Sequence, residues 1–168
     1  MISELLSFLP DSLPDSHPFP PARERTAWQG LPLRVKQRFL QAGEAALATS
    51  IAPLPLSLWL DFTHTGQRAP WEAAYFSRRA RLCALVCAEC VEHTGRFLNA
   101  IADTVWALCE ESAWQLPAHN SYIRDTPQLP LPDTTRPIVD LFAAETGALL
   151  ALTRYLLTDE LDAAAPGI

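Results

Sequence analysis

Apolar positions recur at helical spacing through most of this chain. Between Leu33 and Thr49, Val35, Phe39, Ala42, Ala46 and Leu47 fall on one face, with Arg34, Lys36, Arg38 and Glu44 mostly on the other, as in a surface helix with one buried stripe. From Pro70 to about Thr94 the apolar set widens: Trp71, Tyr75, Leu82, Leu85, Val86, Cys87 and Val91 exceed one stripe. That predicts a largely buried helix, opened by Pro70 near its first position. Gly95 offers a left-handed position after that helix. Phe97, Leu98, Ile101, Val105 and Leu108 then restart the period to about Glu111, so the two helices should fold back as an antiparallel hairpin. A further helix is predicted over Ile138 to Leu157 through Leu141, Phe142, Leu149, Leu152 and Leu156. Glu145 is the polar exception on that face, expected to be hydrogen-bonded within the array or turned to a cavity. A short helix is expected at Ile2 to Leu9.

Between these segments the pattern breaks. Pro10 to Pro21 holds five prolines and no helical period, so it reads as an extended connector within the fold. In Ile51 to Phe62, Pro53 and Pro55 interrupt the chain and Leu56, Leu58, Leu60 and Phe62 alternate with Ser57, Trp59 and Asp61. This predicts an extended piece, a lone strand or a bridge. Thr63 to Arg68 is a polar loop, Pro127 to Pro137 a second proline-rich connector, and Thr158 to Ile168 a tail with no docking pattern beyond a short apolar turn. The sum is three long helices and two short ones, no convincing sheet and no exact repeat: an all-α fold built from antiparallel hairpins.

Composition narrows the classes. With 168 residues, 49% of them hydrophobic and 19% charged, the chain suits one soluble domain spanning 1–168. No apolar run reaches the roughly 20 residues of a membrane span, and Arg81 and Glu89 interrupt the most apolar stretch, so no membrane partner is expected. A net charge of −6 leaves no dense basic face for phosphates, which argues against nucleic acid. The N-terminus lacks a basic leader and carries Glu4 in its apolar stretch, so the expected location is cytoplasmic. Cys83, Cys87 and Cys90 share one helical stripe and read as small core residues of a reducing compartment. Cys87 to Cys90 is a single CxxC, but it lies within the apolar helix with no second such pair and no pair of histidines at finger spacing, so no metal and no cofactor are expected.

Candidate chemistry gathers in Cys109 to Asn120, where an apolar helix gives way to polar groups suited to a small polar ligand. Leu116-Pro117 turns the chain away from helix, placing Trp114, His119 and Asn120 on a loop held by a rigid element. Each of these has a structural reading too: Asn120 before Ser121 as a turn stabiliser, His119 as a satisfied histidine, Trp114 as core. Glu110 and Glu111 raise glycoside hydrolysis as a lesser alternative, but neighbours on a helix diverge by about 100° and do not face each other as hydrolysis requires.

Six stretches, in order, carry a family resemblance: Arg68-Ala69-Pro70-Trp71-Glu72, Glu89-Cys90-Val91-Glu92, Gly95-Arg96-Phe97, Cys109 to Trp114, Leu116-Pro117-Ala118-His119-Asn120, and Tyr155 to Asp162. Together, from about Ala22 onward, the chain resembles the N-terminal helical region of heparinase II/III-like proteins. The resemblance implies a partial α/α toroid, the helical half of a polysaccharide lyase whose other half is a β-sandwich. Family members continue beyond the segment matching Tyr155 to Asp162, so the expectation is an N-terminal fragment, nearly inactive alone. The implied activity is metal-independent β-elimination on a uronic-acid-containing polysaccharide or oligosaccharide. One group neutralises the carboxylate, a base removes the C5 proton and an acid protonates the leaving oxygen. On this resemblance His119, Asn120 and Tyr122 are the candidate catalytic residues, and Trp114, Arg68 and Arg124 the candidate substrate contacts. Arg68 reads equally as a cap or a surface ion pair. The rival expectation is a non-catalytic helical module that binds protein or glycan, with apolar residues of the Ile138 to Leu157 helix left open to form a homodimer.

Overall fold

A computed structural model describes residues 18–123 and 125–168. The short helix expected at Ile2 to Leu9, most of the Pro10 to Pro21 connector and the candidate contact Arg124 lie outside the described residues. Those described form an all-α fold without strands: α1 (Arg25–Gln29), α2 (Leu33–Leu47), α3 (Leu56–Thr65), α4 (Ala69–Glu92), α5 (Leu98–Cys109), a 3-10 turn (Pro117–His119), α6 (Leu141–Leu156) and α7 (Thr158–Ala164). No helix among them is long and apolar enough to cross a membrane.

The long helix α4 is the axis, as its wide apolar circumference requires. Leu82, Leu85, Val86, Ala88 and Cys90 are buried along it, joined by Phe97, Ile101 and Leu108 from the α5 hairpin and by Leu156, Leu157 and Leu161 from the C-terminal helices. Fully burying a side chain such as Leu82, Leu85 or Ile101 contributes about 1.5–3 kcal/mol, so this cluster dominates the stability of the fold. Helix α2 packs closely on α4 because residue 43 has no side chain. A Cβ on Gly43 would stand 2.3 Å from the Ala88 Cβ and 3.1 Å from the Phe97 ring.

The α4–α5 hairpin is antiparallel as the pattern predicted. Arg78 reaches the Ala107 carbonyl at 3.3 Å and Arg81 the Thr104 hydroxyl at 3.2 Å, and the ladder closes at the turn. There the buried Glu89 carboxylate accepts the Gly95 and Phe97 amides at 2.8 and 3.1 Å, satisfying donors at the start of α5. Two arginines close helix ends. Arg25 donates to the Cys90 and Val91 carbonyls at 2.7 and 2.8 Å, capping α4, and Arg81 caps α2 through the Ala46 and Thr49 carbonyls. Several arginines therefore finish helices.

Some expectations are corrected. Ile51 to Phe62 is not extended throughout: residues 56–65 form α3, with Pro53 and Pro55 before its first turn, where a missing amide costs nothing. The left-handed residue ending α4 is His93, at φ 55°, with Gly95 two residues on at φ 81°. Helix α6 begins at Leu141, not Ile138, because the Asp140 side chain accepts the Ala143 amide and fixes the start there. Glu145, by contrast, takes the second of its two expected roles: it is exposed and lines a cavity of about 290 Å³ with Phe76, Arg79 and Phe142. The tail is not free of docking: α7 buries Leu161, and Glu160 meets His93 Nε2 at 2.5 Å. Of the cysteine stripe only Cys90 is fully core; Cys87 is half-buried and Cys83 exposed.

Candidate functional site

A second cluster lies at the other end of α4. Trp59 from α3, Trp71 and Tyr75 from α4 and Leu116 pack together, the two indoles edge to face with centroids 5.1 Å apart. The Trp59 indole donates to the Pro130 carbonyl at 3.0 Å, drawing the proline-rich connector over the cluster. Tyr75 ties it to the loops: its hydroxyl lies 2.8 Å from the Trp114 carbonyl and 3.0 Å from the Thr146 hydroxyl. Desolvation raises the Tyr75 phenol above its ordinary range, so this group stays neutral.

Beside the aromatics sits a buried ion cluster. Glu111 takes Arg79 on both oxygens, at 3.0 and 2.6 Å, and Arg78 at 3.1 Å, with side-chain exposures of 12%, 10% and 5% for Arg78, Arg79 and Glu111. Two guanidiniums meet one carboxylate, and Arg79 also lies over the Tyr75 ring, whose centroid is 3.2 Å from its guanidinium carbon and attracts the cation. The geometry is the bidentate fork that arginine forms with a carboxylate.

Two cavities open along this region and share Glu111, Ser112, Ala113 and Pro132. One, of about 340 Å³, is walled by Trp59, Trp71 and Leu54, with Arg78 and Glu111 at its charged side and Glu110 at its edge. Trp71, 8% exposed, has its Nε1 buried without a hydrogen-bond partner among the described residues. The other, of about 460 Å³, is lined by Trp114, Gln115, Asp133, Ile138 and Val139. This paired cleft offers aromatic faces and mixed charge, with Arg78 as its cation beside Glu110, Glu111 and Asp133, a combination suited to a polar ring.

The residues singled out from sequence fall in different places. Trp114 lines the larger cavity, its indole donating to the Leu108 carbonyl at 2.8 Å and so finishing α5. His119 is 38% exposed at the side chain and stacks on Phe142 at 5.8 Å, with Nδ1 2.6 Å from the buried Asp140 carboxylate. A carboxylate only accepts, so Nδ1 donates and Nε2 is the ring's remaining site, unpartnered among the described residues.

Asn120 is 0% exposed. Its amide donates to the Leu129 and Leu131 carbonyls at 2.7 and 3.0 Å and its oxygen accepts from Gln115. It clamps the proline-rich connector and is closed to any ligand. The Tyr122 hydroxyl sits 3.0 Å from Asp133 and 2.7 Å from the Arg136 carbonyl. Desolvation, then Asp133, raises its phenol. Arg68 forms a surface pair with Glu72 at 3.3 Å, one turn along α4. Neither His119, Asn120, Tyr122 nor Arg68 lines the two cavities.

Trp59, Trp71, Arg78 and Asp140 were not singled out as site residues from sequence. A usable signal was the Arg78-Arg79 pair inside an apolar helical stretch, which needs a buried counter-charge and finds it in Glu111. Among the described residues no three His, Cys, Asp or Glu side chains converge as a metal site would need. Compared with known proteins, the chain matches no family model and no curated protein.

Proposed function

We propose that this chain is the helical part of a heparinase II/III-like carbohydrate-active protein, which holds a uronic-acid-containing saccharide for β-elimination. The observation that carries this reading is the cleft walled by Trp59 and Trp71 beside the Arg78–Glu111–Arg79 cluster. Indole faces pack on sugar C–H groups, and Arg78 is the cation in the cavity wall that would meet a saccharide carboxylate. An α4–α5 hairpin flanked by further paired helices is also the unit from which a partial α/α toroid is built.

In elimination, His119, which lies outside the two cavities and would meet only a saccharide extending past them, is the group of this chain fitted to move a proton. Asp140 orients the ring through Nδ1, leaving Nε2 to act as base or acid. Tyr122, with its phenol raised, remains protonated at neutral pH and would serve as acid rather than base. Asn120 serves by holding the loop that carries His119.

A second reading, a non-catalytic helical module that binds glycan, is favoured by the burial of Asn120 and by the engagement of the Tyr122 hydroxyl with Asp133 and the Arg136 carbonyl.

Titration with an oligouronate and with a neutral oligosaccharide of equal length, followed by tryptophan fluorescence, tests the binding claim. The expected result is saturable binding of the acidic sugar, weakened about tenfold by Trp71→Ala, with the preference for acid lost in Arg78→Met. No saturable binding of either sugar would end the reading. Appearance of unsaturated product, abolished by His119→Ala, would decide for the lyase over the non-catalytic module.

A further inference from the structure

A groove of about 710 Å³ runs between α2 and α4, away from the cleft residues. Val35, Arg38 and Phe39 line it from α2, and Cys83, Ala84 and Cys87 from α4. Both thiols are free, Cys83 exposed and Cys87 half-buried, while the core takes only Cys90. Four residues apart on one helix, they stand on the same face one turn apart. Both cysteines line the same groove, so their thiols share one open face of α4. A disulfide across this turn is disfavoured: Cβ atoms at this spacing are about 5–6 Å apart, and a disulfide needs roughly 3.5–4.5 Å. The pair therefore persists as two adjacent sulfur donors.

We propose that Cys83 and Cys87 form a two-coordinate site for a soft, monovalent d10 metal ion of the copper(I) or silver(I) class, held between their sulfurs at the α2–α4 groove. Soft thiolates select such ions, and two ligands suffice for them, whereas zinc asks for four. No third ligand competes: among the described residues no cluster of three donors forms, and Cys90 is enclosed in the core. Arg38 on the facing helix offsets the negative charge of the resulting bis-thiolate. Binding makes two metal–sulfur bonds and releases the thiol protons to solvent, with no change in oxidation state.

The test is native mass spectrometry of the reduced full chain with one equivalent of silver(I). One silver per chain should be retained, lost in Cys83→Ser and in Cys87→Ser, and kept in Cys90→Ser and Cys109→Ser; zinc(II) under the same conditions should not be held. In the unsubstituted chain, silver should also shield Cys83 and Cys87 from iodoacetamide while Cys109 alkylates freely, which needs no variant to fold. Silver retained by the Cys83→Ser/Cys87→Ser double variant, silver bridging two chains, or equal alkylation of all exposed thiols would overturn the site.

Discussion

The two hydrophobic clusters on α4 are built from different materials. Toward the C-terminal end of the helix, Leu82, Leu85, Val86 and Val91 pack with Phe97, Ile101 and Leu108, and Glu89 is the buried charge, satisfied by backbone amides. Toward the N-terminal end, Trp59, Trp71 and Tyr75 pack beside Arg78, Arg79, Glu111 and Thr146, joined by side-chain hydrogen bonds and opening on two cavities. An aliphatic cluster maximises burial at little polar cost, since its one buried carboxylate is held by backbone amides. A polar aromatic one retains groups whose desolvation is only partly offset. One half of α4 supplies stability and the other walls the proposed site.

The largest effect expected is from Glu111→Ala, which would leave Arg78 and Arg79 facing each other nine-tenths buried. A loss of about 3–5 kcal/mol in urea unfolding is expected, and a loss near zero would erase the contrast. Leu85→Ala in the aliphatic half should cost about 2–5 kcal/mol, yet leave the saccharide affinity of the folded protein unchanged; a matching drop in affinity would join the two halves. Trp71→Phe separates the roles in the other direction. By deleting an unpartnered buried N–H it should leave stability within about 1 kcal/mol of the parent or slightly raise it, while oligouronate binding weakens several-fold in titration.

The smallest effect concerns pH. Hydrogen bonds from the Thr135 hydroxyl, then Tyr122, hold the Asp133 carboxyl below its ordinary value. A value lower in the folded than in the unfolded chain means the contact is complete above the normal carboxylate range and is lost as pH falls through the lowered value. Tyr122 ring signals in NMR should therefore shift only at acid pH, and Asp133→Asn should remove that titration.

Elements whose period is carried by many residues were legible in the sequence; those settled by distant partners were not. Helices α2, α4 and α5 follow from their own apolar spacing. Helix α3 does not, since Leu56, Leu58, Leu60 and Phe62 alternate as a strand would. Its helical state is secured by Trp59 packing on Trp71 and Leu116. The segment Cys109 to Asn120 was found because polar residues follow an apolar helix abruptly, and parts of it up to Gln115 line the cavities, while His119 and Asn120 do not. The walls were missed because Trp59 and Trp71 come from earlier segments. Asn120 drew notice for its chemistry, but its carboxamide is consumed by carbonyls of residues 129 and 131, a pairing that no local pattern announces.

Helix α4 runs unbroken from Ala69 to Glu92, and at 1.5 Å per residue its two working ends, Trp71 and the carbonyl of Val91 gripped by Arg25, stand about 30 Å apart. At that separation, with no shared neighbours, changes at the two ends should be thermodynamically independent. The Arg25→Ala and Trp71→Ala penalties should then simply add in the double variant, and the arginine-fastened pole becomes a place to attach a label or a surface without disturbing what happens at the indoles.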